Sequence, residues 1–95
     1  MVKAAILIRD VSQQYEGLMT CMGLQLNGIQ VKMFVLQHEI AVIDEAYHDN
    51  MIFFDEIGGE RFSDNRENVE KYGFTHANLK EMAAMIKEAD HVVPF

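Results

Sequence analysis

The run Ala4-Ala5-Ile6-Leu7-Ile8 contains no polar residue, and this feature most narrows what the chain can become. A strand with one face in water alternates apolar and polar residues. A short run that is apolar throughout fits a strand covered on both faces, as in a parallel sheet between layers of helices. Arg9 and Asp10 end the run. Asp10 is then placed to cap a helix, with Gln13 as the second half of a capping box, and Val11, Tyr15, Leu18, Met22 and Leu26 recur at helical spacing. Gly28 suits the left-handed position past a helix end near Asn27, where Ile29 can pack back over the last turn. From Ile29 to Gln37 the chain reads as a second strand, alternating at first and then continuously apolar through Phe34-Val35-Leu36. Strand, helix and strand between Ala4 and Gln37 make a βαβ unit, whose crossover is expected to be right-handed.

Further along, Ile40 to His48 reads as a short helix. Asp49 to Ile57 fits either a continuation of that helix or a short buried strand; helix is favoured, and Gly58-Gly59 is the stop. Glu60 to Ser63 reads as a short third strand, Asp64-Asn65 as a loop, and Arg66 to Tyr72 as a small polar helix ending at Gly73. Thr75 is expected to cap the final helix, with Phe74 and Leu79 as a hydrophobic staple and Leu79, Met82, Ala83 and Ile86 as its buried stripe. His91-Val92-Val93-Pro94-Phe95 closes as a short strand at an edge, where Pro94 costs no ladder hydrogen bond. No linker, repeat or biased tract interrupts the 95 residues, enough for one modest core, so residues 1–95 are read as a single domain. The expected fold class is α/β, a small three-layer sandwich with a mostly parallel sheet of four or five strands.

Charge and composition exclude several functions. A hydrophobic fraction of 49% with 24% charged residues is a globular mix. A formal charge of −7 argues against nucleic acid and against an anionic membrane surface as partners. The apolar runs, Ala4 to Ile8 and Met33 to Leu36 among them, are at most five residues long and fall far short of the roughly 20 residues of a spanning helix. Cys21 is the only cysteine, which rules out an internal disulfide and a multi-cysteine zinc site. With no secretory leader pattern at the start, a cytoplasmic location is expected. No Gly-x-Gly-x-x-Gly or Walker-type loop follows the first strand and no Gly-x-Ser-x-Gly elbow occurs, so nucleotide-dependent and hydrolase readings lack support and no cofactor is expected.

In open α/β sheets the ligand crevice lies beyond the carboxyl ends of the strands. Here that edge is Arg9-Asp10, Gln37-His38-Glu39 and Ser63-Asp64-Asn65, so Arg9, Asp10, His38, Glu39, Ser63, Asp64 and Asn65 are the candidate ligand-binding residues. His38 follows a buried strand and carries a ring that titrates near neutral pH. In the structural alternative, Asp10 is a cap and Arg9 a surface charge paired with Glu39 or Asp64. Cys21 falls at the edge of the buried helix face with no basic residue within one turn, which favours an inert thiol. Glu45-Ala46-Tyr47-His48 has the Glu-x-x-His spacing of a helical metal site, but one copy without partner carboxylates is insufficient and the four histidines are scattered, so no metal is expected. Seven methionines, six phenylalanines and three tyrosines exceed what so small a core hides, and some of that surface is expected to meet another chain.

The strand Ala4 to Ile8, the segment Glu16-Gly17-Leu18 leading to Gly23-Leu24-Gln25-Leu26-Asn27-Gly28-Ile29-Gln30-Val31-Lys32-Met33-Phe34-Val35-Leu36, and the terminal Glu88-Ala89-Asp90-His91-Val92-Val93-Pro94-Phe95 together resemble the DsrE/DsrF-like proteins of bacterial sulfur metabolism, a family that includes sulfur-relay subunits of tRNA thiolation. The resemblance covers nearly the whole chain. It implies a flavodoxin-like α/β fold, homo-oligomers such as trimers or hexamers, association with other sulfur-relay subunits, and sulfur carried as a cysteine persulfide. The chain departs from the family at the carrier loop: Arg61-Phe62-Ser63-Asp64-Asn65-Arg66 contains no cysteine, and a persulfide requires a thiolate. The leading expectation is therefore a non-catalytic, oligomeric relative that binds a small ligand or partner protein at the strand ends. The alternatives are a sulfur-relay protein carrying persulfide on Cys21 and a small-anion sensor using Arg9 and His38.

Overall fold

The computed structural model describes residues 1–41 and 43–95. Its strands are β1 (Lys3–Ile8), β2 (Gln30–Val35), β3 (Glu60–Ser63), β4 (Thr75–His76) and β5 (His91–Pro94); its helices are α1 (Gln14–Leu26), α2 (Glu45–Glu56), α3 (Arg66–Tyr72) and α4 (Leu79–Lys87). The strands form one sheet in the order β4-β3-β2-β1-β5, with every neighbouring pair parallel. The apolar run lies where both its faces are needed, between β2 and β5. Ala4, Ile6 and Ile8 pack with Val31, Met33 and Val35 beneath Leu18 and Cys21 of α1 and Tyr47, Met51 and Phe54 of α2. Ala5 points the other way and is buried with Phe34, Ala77 and Met82 of α4. The chain steps from β1 to β4 with α1, α2 and α3 on one face, then crosses to β5 with α4 on the other. The result is the small flavodoxin-like α/β sandwich anticipated from the sequence, with a wholly parallel five-stranded sheet.

Several boundaries follow local chemistry as expected. Gly28 adopts φ +82°, and the amides of Gly28 and Ile29 donate to the carbonyls of Gln25 and Leu24, each at 3.1 Å, in a Schellman closure of α1. Gly73 ends α3 at φ +73°. The 49–57 stretch is helical as favoured: α2 runs through it to Glu56, with Ile57 as its C-cap.

Other expectations are corrected. The helix expected over Ile40 to His48 is observed from Glu45 onward, because the Asp44 side chain accepts from the Tyr47 amide and caps it there, while the Ile40 amide is held by the Asn68 side chain; Val42, within the expected range, lies outside the described residues. Asp10 and Gln13 form no capping box. Asp10 accepts from Ser12 and opens a single 3₁₀ turn at Val11–Gln13, after which α1 begins. Of the stripe expected on α1, Leu18 is buried and Met22 packs against the core as expected, whereas Val11, Tyr15 and Leu26 are exposed and Gly17 and Cys21 are buried instead. Thr75 does not cap α4; it belongs to β4, and Asn78 with Glu81 forms a complete capping box instead. Leu79 and Ala83 are exposed, so α4 covers the sheet with Met82, Met85 and Ile86, joined by Ala89 just past its end.

One charged residue is built into the core beside the sheet. Arg61 grips Asp55 through two hydrogen bonds of 2.8 and 2.7 Å, donates to the Tyr72 carbonyl at 2.7 Å and lies 4.7 Å over the Phe74 ring. It joins α2, β3 and the end of α3 by bidentate geometry and cation–π contact. At Gly59 a Cβ would collide with the ring of the fully buried Phe54, whereas at Gly23, inside α1, it would meet nothing. Gly59→Ala is therefore expected to destabilise by about 1–3 kcal/mol through overpacking, and Gly23→Ala to stabilise by about 0.5–1 kcal/mol through helix propensity. Urea denaturation midpoints moving in opposite directions would bear this out; a matching shift in both would refute the packing account.

Candidate functional site

In a sheet whose strands all run one way, the carboxyl ends share one edge and the loops leaving them meet there. At that edge, beyond β1, β2 and β5, lies an open cleft of about 770 Å³ lined by Arg9, Asp10, Val11, Gln13, Gln37, His38 and Phe95.

His38 is the best-defined group in it. Its Nδ1 lies 2.9 Å from the Leu36 carbonyl oxygen, which can only accept, so Nδ1 carries the hydrogen and the neutral ring has an acceptor lone pair at Nε2. Nε2 is shut off from solvent and has no hydrogen-bond partner among the described residues. An unpartnered buried acceptor costs about 1–3 kcal/mol, a cost the fold carries in a residue that lines the cleft.

The loop carrying His38 is held under backbone strain. Gln37 takes φ +67°, a left-handed conformation that costs a residue with a Cβ roughly 1–2 kcal/mol. Hydrogen bonds from β3 and α3 keep it there. The Gln37 amide donates to Asp64 Oδ1 at 2.8 Å. The fully buried Asn68 donates through Nδ2 to the His38 carbonyl at 2.9 Å and to Ser63 Oγ at 3.1 Å, while its Oδ1 accepts from the Ile40 amide at 2.9 Å. Ser63 Oγ donates to the Val35 carbonyl and accepts from the Asn65 amide; the Asn65 side chain caps α3.

Asp10 and Arg9 supply the charge. Asp10 Oδ1 accepts from the Ser12 hydroxyl at 2.7 Å and the Ser12 amide at 2.9 Å, and these bonds hold its carboxyl below the ordinary value of 3.8. Its Oδ2 takes no hydrogen bond among the described residues. The Arg9 guanidinium is exposed and, among the described residues, forms no ion pair. The pairings expected for it do not form, because Glu39 faces Lys71 at 3.5 Å and Asp64 is engaged by the Gln37 amide. The main-chain amides of Arg9 and Asp10 donate to the Phe95 carbonyl at 2.9 and 3.3 Å. A nucleotide-binding α/β protein would offer such amides to phosphate; here they are occupied.

Of the seven candidate ligand residues, the structure gathers Arg9, Asp10 and His38 into the cleft. Ser63, Asp64 and Asn65 form the scaffold behind it, and Glu39 turns to Lys71. Reading the sequence missed Val11, Gln13 and Phe95 as lining residues and Asn68 as the clasp of the loop. Phe95 was within reach, since a closing parallel strand ends at the same edge; nothing in the polar run around Asn68 signals its burial.

Cys21 lies at the centre of the α1 face rather than at its margin, fully buried, and burial pushes its thiol well above the ordinary range. Glu45 and His48 recruit no further ligand: among the described residues no three His, Cys, Asp or Glu side chains gather into a metal site. Among the described residues, too, no helix is long and apolar enough to cross a membrane.

No protein-family model and no curated protein matches the chain. Among solved structures it is similar to a conserved protein of unknown function from Bacteroides thetaiotaomicron, with TM-score 0.74 and 9% sequence identity over 98% of this chain and 94% of that one. The likeness supports the fold.

Asn68→Ala removes three hydrogen bonds and leaves the Ile40 amide and the His38 carbonyl without their partner. The expected loss is about 2–4 kcal/mol, with resonances of residues 37–40 broadened or shifted in ¹H–¹⁵N spectra. Full stability with an unchanged loop would show that Asn68 is not the clasp.

Proposed function

We propose that this protein binds a small polar ligand in the cleft of Arg9, Asp10 and His38 without transforming it, as a non-catalytic relative of the DsrE/DsrF-like group. The observation that carries this reading is the His38 ring: it lines the cleft on a loop held in a strained conformation, with one nitrogen committed to Leu36 and the other unpartnered. Strain retained beside a cleft is characteristic of functional sites. A binding role is favoured over catalysis because none of the seven lining residues is a Ser, Thr, Cys or Lys nucleophile, and the Asp10 carboxylate is already engaged by Ser12.

The complete burial of Cys21 supports binding over a sulfur carrier, since a persulfide forms on an accessible thiolate. The cleft also gives a partner protein less to hold than a small molecule, being built mainly of polar side chains around Val11 and Phe95.

The test is a ¹H–¹⁵N NMR screen against a panel of small polar fragments. Binders are expected to perturb the amides of Arg9, Asp10, Gln37 and His38 together, and Arg9→Ala is expected to abolish these shifts with the melting temperature unchanged. Perturbations confined to another surface would overturn the assignment. In parallel, iodoacetamide is expected to label Cys21 only after denaturation; rapid labelling of the native protein would restore the carrier reading.

A further inference from the structure

The chemistry of the cleft narrows the ligand class, on the premise that the cleft is a binding site. Arg9 contributes donors only, from a guanidinium that has no ion pair among the described residues. The other charged anchor points the opposite way: Asp10 has its Oδ2 free of hydrogen bonds among the described residues. A plain anion would satisfy Arg9 but meet a carboxylate beside it. A plain cation would meet the guanidinium. The field of a chain with formal charge −7 also opposes accumulation of anions, whereas a ligand without net charge is not repelled. Val11 and Phe95 add apolar surface to the same cleft.

From this complementarity we infer that the ligand is a small zwitterion of the α-amino-acid type, its carboxylate held by Arg9 and its ammonium group by Asp10. Both contacts are charge-assisted hydrogen bonds, and loss of either is expected to weaken binding about 10- to 100-fold.

The test is NMR and calorimetric titration of the intact protein with each standard α-amino acid, then with the N-acetyl and carboxamide derivatives of any that binds. At least one free amino acid is expected to shift the amides of Arg9, Asp10 and Gln37, and both of its derivatives to bind at least about tenfold more weakly. Arg9→Gln is expected to weaken the free amino acid but not the carboxamide, and Asp10→Asn to weaken it but not the N-acetyl form. Equal binding of the N-acetyl derivative, or of inorganic phosphate, would overturn the zwitterion and leave an anion site. If no amino acid perturbs the cleft while another polar fragment does, the ligand class is wrong and the cleft reading stands. Silence of the cleft toward both panels would overturn both.

Discussion

A strand that is apolar on both faces has to be covered on both faces, and the rest of the architecture follows from meeting that demand for β1. It needs a hydrogen-bonded neighbour on either side, supplied by β2 and β5, and an apolar layer above and below, supplied by α1 and α2 on one face and α4 on the other. Parallel neighbours then require long crossover connections, which place the loops after the strands along a single edge. The cleft is thus a by-product of how the core is covered. Arg9 and Asp10 are there because β1 stops at Ile8, His38 because β2 stops at Val35, and Phe95 because β5 stops beside them.

Two buried polar systems divide the work of fixing this edge and the region behind it. Arg61, with Asp55, Tyr72 and Phe74, ties α2 to β3 and to the end of α3 through three hydrogen bonds and a cation–π contact. Asn68 and Ser63 do the corresponding job without charge, connecting the ends of β2 and β3 to the loop of His38. Buried polar groups stabilise only when every donor and acceptor is satisfied, and Asn68 approaches that condition with three partners for its side chain. His38 Nε2 stands out against this background as the one buried side-chain atom without a partner among the described residues.

What could be read from the sequence was what short stretches encode by themselves. The apolar run of β1, the glycines closing α1 and α3, and the four residues of β3 rest on local patterns that tertiary contacts did not override. The elements read differently depend on partners distant in the chain. Thr75 and His76 become a strand only because β3 offers them an edge, and the start of α2 is delayed because Asn68 holds Ile40 and Asp44 supplies the cap. The candidate site divides in the same way. The rule that ligands gather at strand ends brought Arg9, Asp10 and His38 into one group, but it could not separate side chains that face the cleft from Ser63, Asp64 and Asn65, whose polar atoms turn inward to hold the loop.

The pairing of β1 with β5 joins segments far apart along the chain; Lys3 and Asp90, at its start, are separated by 87 residues. Such a contact carries a large loop-closure entropy and tends to form late, after the local βαβ units have collapsed. The Phe95 carbonyl, which receives the amides of Arg9 and Asp10, arrives only with that docking. β5 is also a short edge strand whose residues are mostly exposed, the kind of segment that opens first in native-state fluctuations. The cleft therefore exists only while β5 is docked, and a molecule that fits it acts as a clamp on an edge strand, which couples occupancy of the site to the lifetime of the closed sheet.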